Sequence, residues 1–373
     1  MMRNTSHLKW IAGSLMLLAI FFTSCKEEDE KAKLIPDELF SALPASGGEF
    51  DLNVSAGGTW VISVSGSGSL WCKVNPASGN GDAVVNLMLT PNDGGKRSAL
   101  LTLSSGSVRD TLRITQKPTE EDVMNVVPGR LEIPRLAGGA DYKFIDHSVI
   151  YQQKTVPNYC MEYNLPKRHA RWVAFKVYDA TAADHVTRTD AWADDSLVPE
   201  EYRTTKTDYS GYDRGHLVAS NDRRYSREAN EQTFYYSNMS PQLSDFNQKI
   251  WKVLEENVKS WMQSPELRDT LYVVKGGTIR EDQIKTLTGP NKVAVPKYYY
   301  MAVLARKEDQ YKAIAFWLEH KIYAQPYRLK ELTLTIDQLE EKTGIDFFPG
   351  LPDAVETKIE AQSDVSDWTW ITE

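Results

Sequence analysis

Gly211-Tyr212-Asp213-Arg214-Gly215-His216-Leu217-Val218-Ala219-Ser220 decides the reading of this chain, because it sets a cation, a glycine and an imidazole side by side. Arg214 offers a planar, permanently charged fork suited to phosphate oxygens. His216 has the one side chain that exchanges a proton near neutral pH without first being perturbed. Gly215 between them lets the backbone approach a ligand or turn sharply. Together they form a compact set of groups for handling a phosphate.

Downstream, Ser237-Asn238-Met239-Ser240-Pro241-Gln242 leads into Asp245-Phe246-Asn247-Gln248. Over residues 244–262 the apolar set Phe246, Ile250, Leu254, Val258 and Trp261 recurs at helical spacing, and Pro265 closes the run. The pattern predicts an amphipathic helix, with Asn247 and Glu255 on a side next to the apolar stripe. Eight residues separate these two, about 12 Å along a helix axis, so both cannot touch one ion without a water between.

In this order, Asp213-Arg214-Gly215-His216, Ser237-Asn238-x-x-Pro241-Gln242, Asn247-Gln248 and Trp251-x-x-Leu254-Glu255 resemble the DNA/RNA non-specific endonuclease family, which includes the Serratia-type nuclease and endonuclease G and has a ββα-metal core. The resemblance runs over residues 144–352, through Asn164-Leu165-Pro166-Lys167, Val293-Ala294-Val295-Pro296 and Thr343-Gly344-Ile345-Asp346-Phe347-Phe348-Pro349. It implies metal-dependent hydrolysis of phosphodiester bonds in DNA and RNA, with His216 as general base. It further implies that Asn247 is the direct ligand of magnesium, with manganese as a substitute, and that Asn238 and Glu255 support the metal and its water. Arg188, in Arg188-x-x-x-Trp192-Ala193-Asp194, is similar to the family's upstream phosphate-binding arginine, although its spacing to the tryptophan differs. Arg214 either neutralises charge growing on the phosphoryl oxygens or fixes the orientation of His216.

The net charge of −8 argues against a general nucleic-acid coat, but only a cleft need be positive. Arg203, Lys206, Arg214, Arg223, Arg224 and Arg227 outnumber Asp208, Asp213 and Asp222 locally, and Arg214, Arg223 and Arg224 are expected substrate contacts; the resemblance adds Arg188 to them. An ordinary imidazole, with a pKa near 6.5, would already be mostly unprotonated at pH 7, so His216 needs no unusual environment to act as a base. No helix-turn-helix, finger or stacking signature is present, and cleavage is expected to tolerate any sequence. Two other readings stay open. One is a surface protein that binds glycan or nucleic acid and carries an inert nuclease-like half; the other is a phosphodiesterase of small nucleotides.

The 373 residues suffice for two domains with separate cores. Arg3 and Lys9 precede an apolar run over residues 10–22 that is too short for a stable membrane span. Phe22-Thr23-Ser24-Cys25 resembles a bacterial lipobox, implying a signal peptide over residues 1–24 and a lipid on Cys25. The expected product is an outer-membrane lipoprotein, periplasmic or facing outward. Lys26-Glu27-Glu28-Asp29-Glu30 opens an acidic tether expected over residues 25–45.

Residues 46–117 change to short strands of period two between Gly- and Asn-rich turns, predicting an all-β Ig-like sandwich. Trp60, Trp71, Asn75-Pro76, Asn92, Arg97 and Gln116 resemble a BACON domain. Trp60 and Trp71 either stack on a glycan or fill the core. A linker over residues 118–125 leads to an α+β nuclease domain over residues 126–373. Strands are expected there at 144–150, 159–163, 172–178, 271–274, 292–296, 298–305 and 313–318, forming a mixed, mainly antiparallel sheet. A short helix from Ile336 has Thr335 as its cap and Gly344 as its stop. Cys72 and Cys160 either pair or remain buried thiols, and no zinc-binding spacing is present. His147, His169, His185 and His320 are read as structural or surface residues.

Overall fold

The computed structural model describes residues 32–92, 96–118 and 125–371. The lipobox, Cys25 and most of the linker lie outside them. The N-terminal domain is a sandwich of two four-stranded sheets. One runs Ala32–Ile35, Gly48–Ala56, Ala83–Leu89, Cys72–Asn75, and the other Ser78–Asn80, Thr59–Val64, Arg97–Ser105, Val108–Gln116. Alternate residues such as Leu52, Val54, Val85 and Leu87 turn inward to make a common core.

The sandwich begins earlier than residue 46. Ala32–Ile35 pairs with Gly48–Ala56, placing Leu34 opposite Val54, and Phe40 and Leu43 are buried in the same core. Two apolar residues at alternate positions were enough to dock an edge strand within the stretch expected to be a tether.

Trp60 and Trp71 are only 2% and 7% exposed, so neither ring is free to stack on a sugar. The Trp60 indole donates to the Gly81 carbonyl at 2.8 Å, and Trp71 carries the Arg97 guanidinium 4.6 Å from its ring centre. Cys72 and Cys160 are free thiols, buried in separate cores.

The second domain is built on a seven-stranded sheet in the order Thr333–Leu334, Gln310–Glu319, Tyr298–Lys307, Thr270–Gly277, His169–Val177, Lys154–Asn164, Tyr142–Tyr151. Each of these neighbours pairs antiparallel. Its central strands read as continuous apolar runs because both faces are covered. Val173, Phe175 and Val177 face the core beneath the helix Lys252–Met262, while Trp172 and Ala174 face the core beneath the C-terminal helices Ile336–Thr343 and Asp353–Glu360. Thr335 caps the first of those C-terminal helices by accepting from the Gln338 amide, and Gly344 ends it at φ +67°.

On the first face lies a small ββα unit. Asp213–His216 pairs antiparallel with Met239–Gln242, and the chain then enters the helix. Both strands are four residues long and largely polar, so no alternation marked them in advance. Buried side chains pin them instead: Ser240 Oγ lies 2.6 Å from His169 Nε2 and 2.6 Å from the Tyr299 hydroxyl. Gly215 has a structural reason, since a Cβ there would lie 2.0 Å from Gln242 Oε1. The close neighbour that glycine admits is thus a cross-strand side chain.

Residues Phe246–Trp251 wind as a π-helix before regular α geometry begins at Lys252. The wide turn lets Phe246, Ile250, Trp251 and Leu254 all be fully buried. It leaves Asn247, Gln248, Lys252 and Glu255 on the side facing the polar strand.

Candidate active site

Between that strand and that helix runs a cleft of about 870 Å³. Strand residues Asp213, Arg214 and His216 line one wall, and Asn247, Gln248, Lys252 and Glu255 the other. Arg188, Trp192 and Lys206 come from the preceding loops. Gly211, at φ +84°, turns the chain into the strand that carries the motif.

Aromatic rings fix the two basic groups of the first wall. The Arg214 guanidinium lies 3.7 Å from the centre of the Trp192 ring, and Arg188 lies 4.7 Å over Phe234. The His216 ring meets the same two aromatics edge-on, with centroids 5.5 Å from Trp192 and 5.0 Å from Phe234. Its Nε2 is buried and has no hydrogen-bond partner among the described residues. Burial, with Arg188, Arg214 and Lys275 nearby, lowers its pKa to about 3, against a hydrogen bond to the Arg214 backbone that favours the proton. The ordinary titration expected of this imidazole is therefore corrected: in the free cleft it is neutral throughout the physiological range.

On the helix, Asp213 Oδ2 accepts from Asn247 Nδ2 and from Gln248 Nε2, both at 2.9 Å. This grip commits the Asn247 amide nitrogen and leaves its oxygen for another partner. Glu255 sits at the end of a buried ion chain. Lys275 Nζ is 2.7 Å from Asp222 Oδ2 and 3.2 Å from Glu255 Oε1, and Lys275 is fully buried. Burial raises the Glu255 carboxyl to about 7, with Asp222 adding to the rise and Lys275 opposing it. Neither Asp222 nor Lys275 was expected from sequence. Lys275 lies in the apolar strand Thr270–Gly277, and a single lysine in such a run was its only signal.

Three expected site residues are not in the cleft. Asn238 is fully buried: its oxygen accepts from the Val218 amide, and its nitrogen donates to the carbonyls of Val218 and Thr233. Every polar atom of its side chain is engaged with backbone, so it clamps the turn after His216 rather than reaching a metal. Arg223 is 0% exposed, packed 4.1 Å over Phe175 and donating to the Lys176 carbonyl. Arg224 is held by the Val186 carbonyl and by Asp184. Nor does the local surplus of cations read from sequence all reach the cleft, since Arg203, held by the Val198 carbonyl, and Arg227, paired with Glu231, do not line it. The cleft keeps Arg188, Lys206, Arg214 and Lys252 against Asp213, Asp222, Glu255 and Glu256.

The remaining histidines are structural or exposed. His147 bonds Asp195 at 3.1 Å, His169 and His320 are buried, and His185 is exposed. A separate acidic cluster, Asp337, Glu340 and Glu360, has the spacing to hold a metal ion. It shares no residue with the cleft.

The two strands and the helix after them thus form a ββα unit with His216 and Asn247 lining one cleft. The family profile described as DNA/RNA non-specific endonuclease matches residues 142–354, and the chain belongs to that family. The BACON profile matches residues 59–117. A mitochondrial nuclease EXOG of Danio rerio is 29% identical over 250 residues, covering 63% of this chain and 68% of the relative. The mitochondrial nuclease EXOG of Mus musculus is 29% identical over 209 residues, covering 52% and 56%. The chain thus spans between about half and two thirds of the length of these relatives. The solved EndoG/EndoGI complex is similar at a TM-score of 0.48 and 23% identity, covering 56% of this chain and 88% of that one.

Proposed function

We propose that the chain is a metal-dependent, sugar-non-specific endonuclease hydrolysing phosphodiester bonds of DNA and RNA, with His216 as general base. One observation carries this reading: a neutral imidazole presents a buried, unpartnered Nε2 in the cleft that also holds Arg214 and Asn247. A nitrogen so placed lacks only a water or hydroxyl to accept from.

The donor set fits magnesium. Asn247, oriented by Asp213, offers one neutral oxygen, and magnesium keeps most of its waters and takes few protein ligands. When bound, the ion supplies positive charge to the scissile phosphate and to the departing 3′ oxygen. The chain's own residues do the rest. Arg214, flat against Trp192, meets charge growing on the phosphoryl oxygens, and Arg188 takes the neighbouring phosphate. Burial first, and then Arg188, Arg214 and Lys275, hold the His216 pKa low; an anionic phosphate offsets the cations' share, so the imidazole becomes a stronger base in the occupied cleft. Glu255, through its remaining carboxylate oxygen, orders water at the far end.

A nucleic-acid zymogram of the chain and of His216→Ala, with magnesium and with chelator, tests the assignment. The variant is expected to lose roughly 10²–10⁴-fold in rate with an unchanged melt. Digestion by the variant at near wild-type rate would reject His216 as the base.

The N-terminal pattern of Arg3, Lys9, the apolar run over residues 10–22 and Cys25 supports a second proposal, attachment to the outer membrane by lipid. Cys25→Ser is expected to leave the detergent phase, and its continued partitioning there would overturn the attachment.

A further inference from the structure

Where the sandwich meets the two C-terminal helices, carboxylates outnumber cations. Asp337 and Glu340 come from the helix Ile336–Thr343, Asp346 from the loop after it, and Glu356 and Glu360 from the helix Asp353–Glu360. Lys96 Nζ reaches Glu356 at 2.7 Å and Glu360 at 3.4 Å. Arg113 meets Asp337 at 2.8 Å, and Arg135 meets Asp346 at 2.8 Å. These five carboxylates outnumber the three cations that pair with them. One ligand oxygen from each of Asp337, Glu340 and Glu360 lies within 4.8 Å of the others. Oxygens that share one calcium ion, each about 2.4 Å from it, lie no further apart than that.

A second observation points the same way. Glu360 is 2% exposed, and its Oε1 is buried without a hydrogen-bond partner among the described residues. Asp346 Oδ1, in a residue 9% exposed, is bare in the same sense. A buried carboxylate oxygen without a donor or a cation is costly, and native structures seldom leave one so.

We propose that Asp337, Glu340 and Glu360 bind a calcium ion that locks the β-sandwich onto the nuclease domain. Calcium suits three carboxylates on flexible helical side chains, whereas magnesium demands octahedral geometry and is usually held by one or two. The ion cross-links both C-terminal helices, and those helices grip the sandwich through Lys96 and Arg113. Without it the carboxyls must repel one another or take up protons.

The test uses the full chain carrying Asn247→Ala, so that the cleft amide cannot compete, stripped with chelator and titrated with calcium chloride at neutral pH. Calorimetry is expected to show one calcium per chain, and the melting temperature is expected to rise as that site fills. In the same background Asp337→Asn, at a partly exposed position, is expected to weaken binding by about tenfold or more, and Glu360→Gln likewise. Absence of saturable calcium binding, or an unchanged affinity in Asp337→Asn, overturns the site in favour of protonated carboxyls.

Discussion

Asn238 and Asn247 stand nine positions apart in matching motifs, yet they have opposite surroundings. Asn238 spends its whole amide on three backbone groups, whereas Asn247 is held by one carboxylate at its nitrogen alone. Removing the first strands a buried amide and two carbonyls. Asn238→Ala is therefore expected to destabilise the fold by about 3 kcal/mol, at roughly 1 kcal/mol per lost hydrogen bond. Asn247→Ala should leave the melt almost unchanged and abolish the response of hydrolysis to magnesium. Thermal unfolding beside a magnesium titration separates them, and a stable but inactive Asn238→Ala would return that residue to the metal. Motif spacing could not distinguish the two, because it reports neighbours in sequence and not which backbone groups need a partner.

The helix and the strand beneath it work as one element through Lys275. This lysine neutralises Asp222 and Glu255 from below the cleft floor, and removing it leaves two carboxylates facing each other in a buried site. Lys275→Met is expected to cost about 3–5 kcal/mol, the usual penalty for breaking a buried ion pair. It also removes the group that pulls the Glu255 pKa down, so that carboxyl should stay protonated to higher pH. The limb of the pH–rate profile due to Glu255 should then move to the alkaline side. A profile that merely scales down, with no shift, would make Lys275 a packing residue only. The π-turn at Phe246–Trp251 belongs to the same scale. Helical periodicity revealed the apolar stripe, but the extra burial of Trp251 depended on a widened turn, which has no period of its own.

Across the whole molecule, buried titratable groups set the response to acid. His169 and His320 are lowered to about 4 and His216 to about 3, in each case first by burial. Their folded pKa values lie below the unfolded value near 6.5, so their contribution to stability is complete above that pH and is lost as pH falls towards 3–4. Glu255 and Glu356, raised to about 7, act in the opposite sense between their unfolded value and 7 and partly offset the histidines there. Below about pH 3.5 those glutamates are protonated in both states and drop out. Unfolding should then take up about one proton net at the histidines, near 1.4 kcal/mol per pH unit. Urea midpoints followed from pH 4 to pH 3 check this, and a flat series there would mean that the histidines titrate freely in the fold.

Sequence alone determined the two-domain order, the period-two sandwich, most strands of the large sheet and the capped C-terminal helix, and it singled out His216 and Asn247, which line one cleft. These were legible because they rest on local periodicity, caps and short motifs. Tertiary structure alone decided that Arg223 and Asn238 are internal, that Lys275 and Asp222 underlie Glu255, that residues 32–35 join the sandwich, and that acidic groups gather at the domain junction. The physical reason is common to all four: burial and long-range charge depend on which distant segments close over a residue, and no spacing along the chain encodes that.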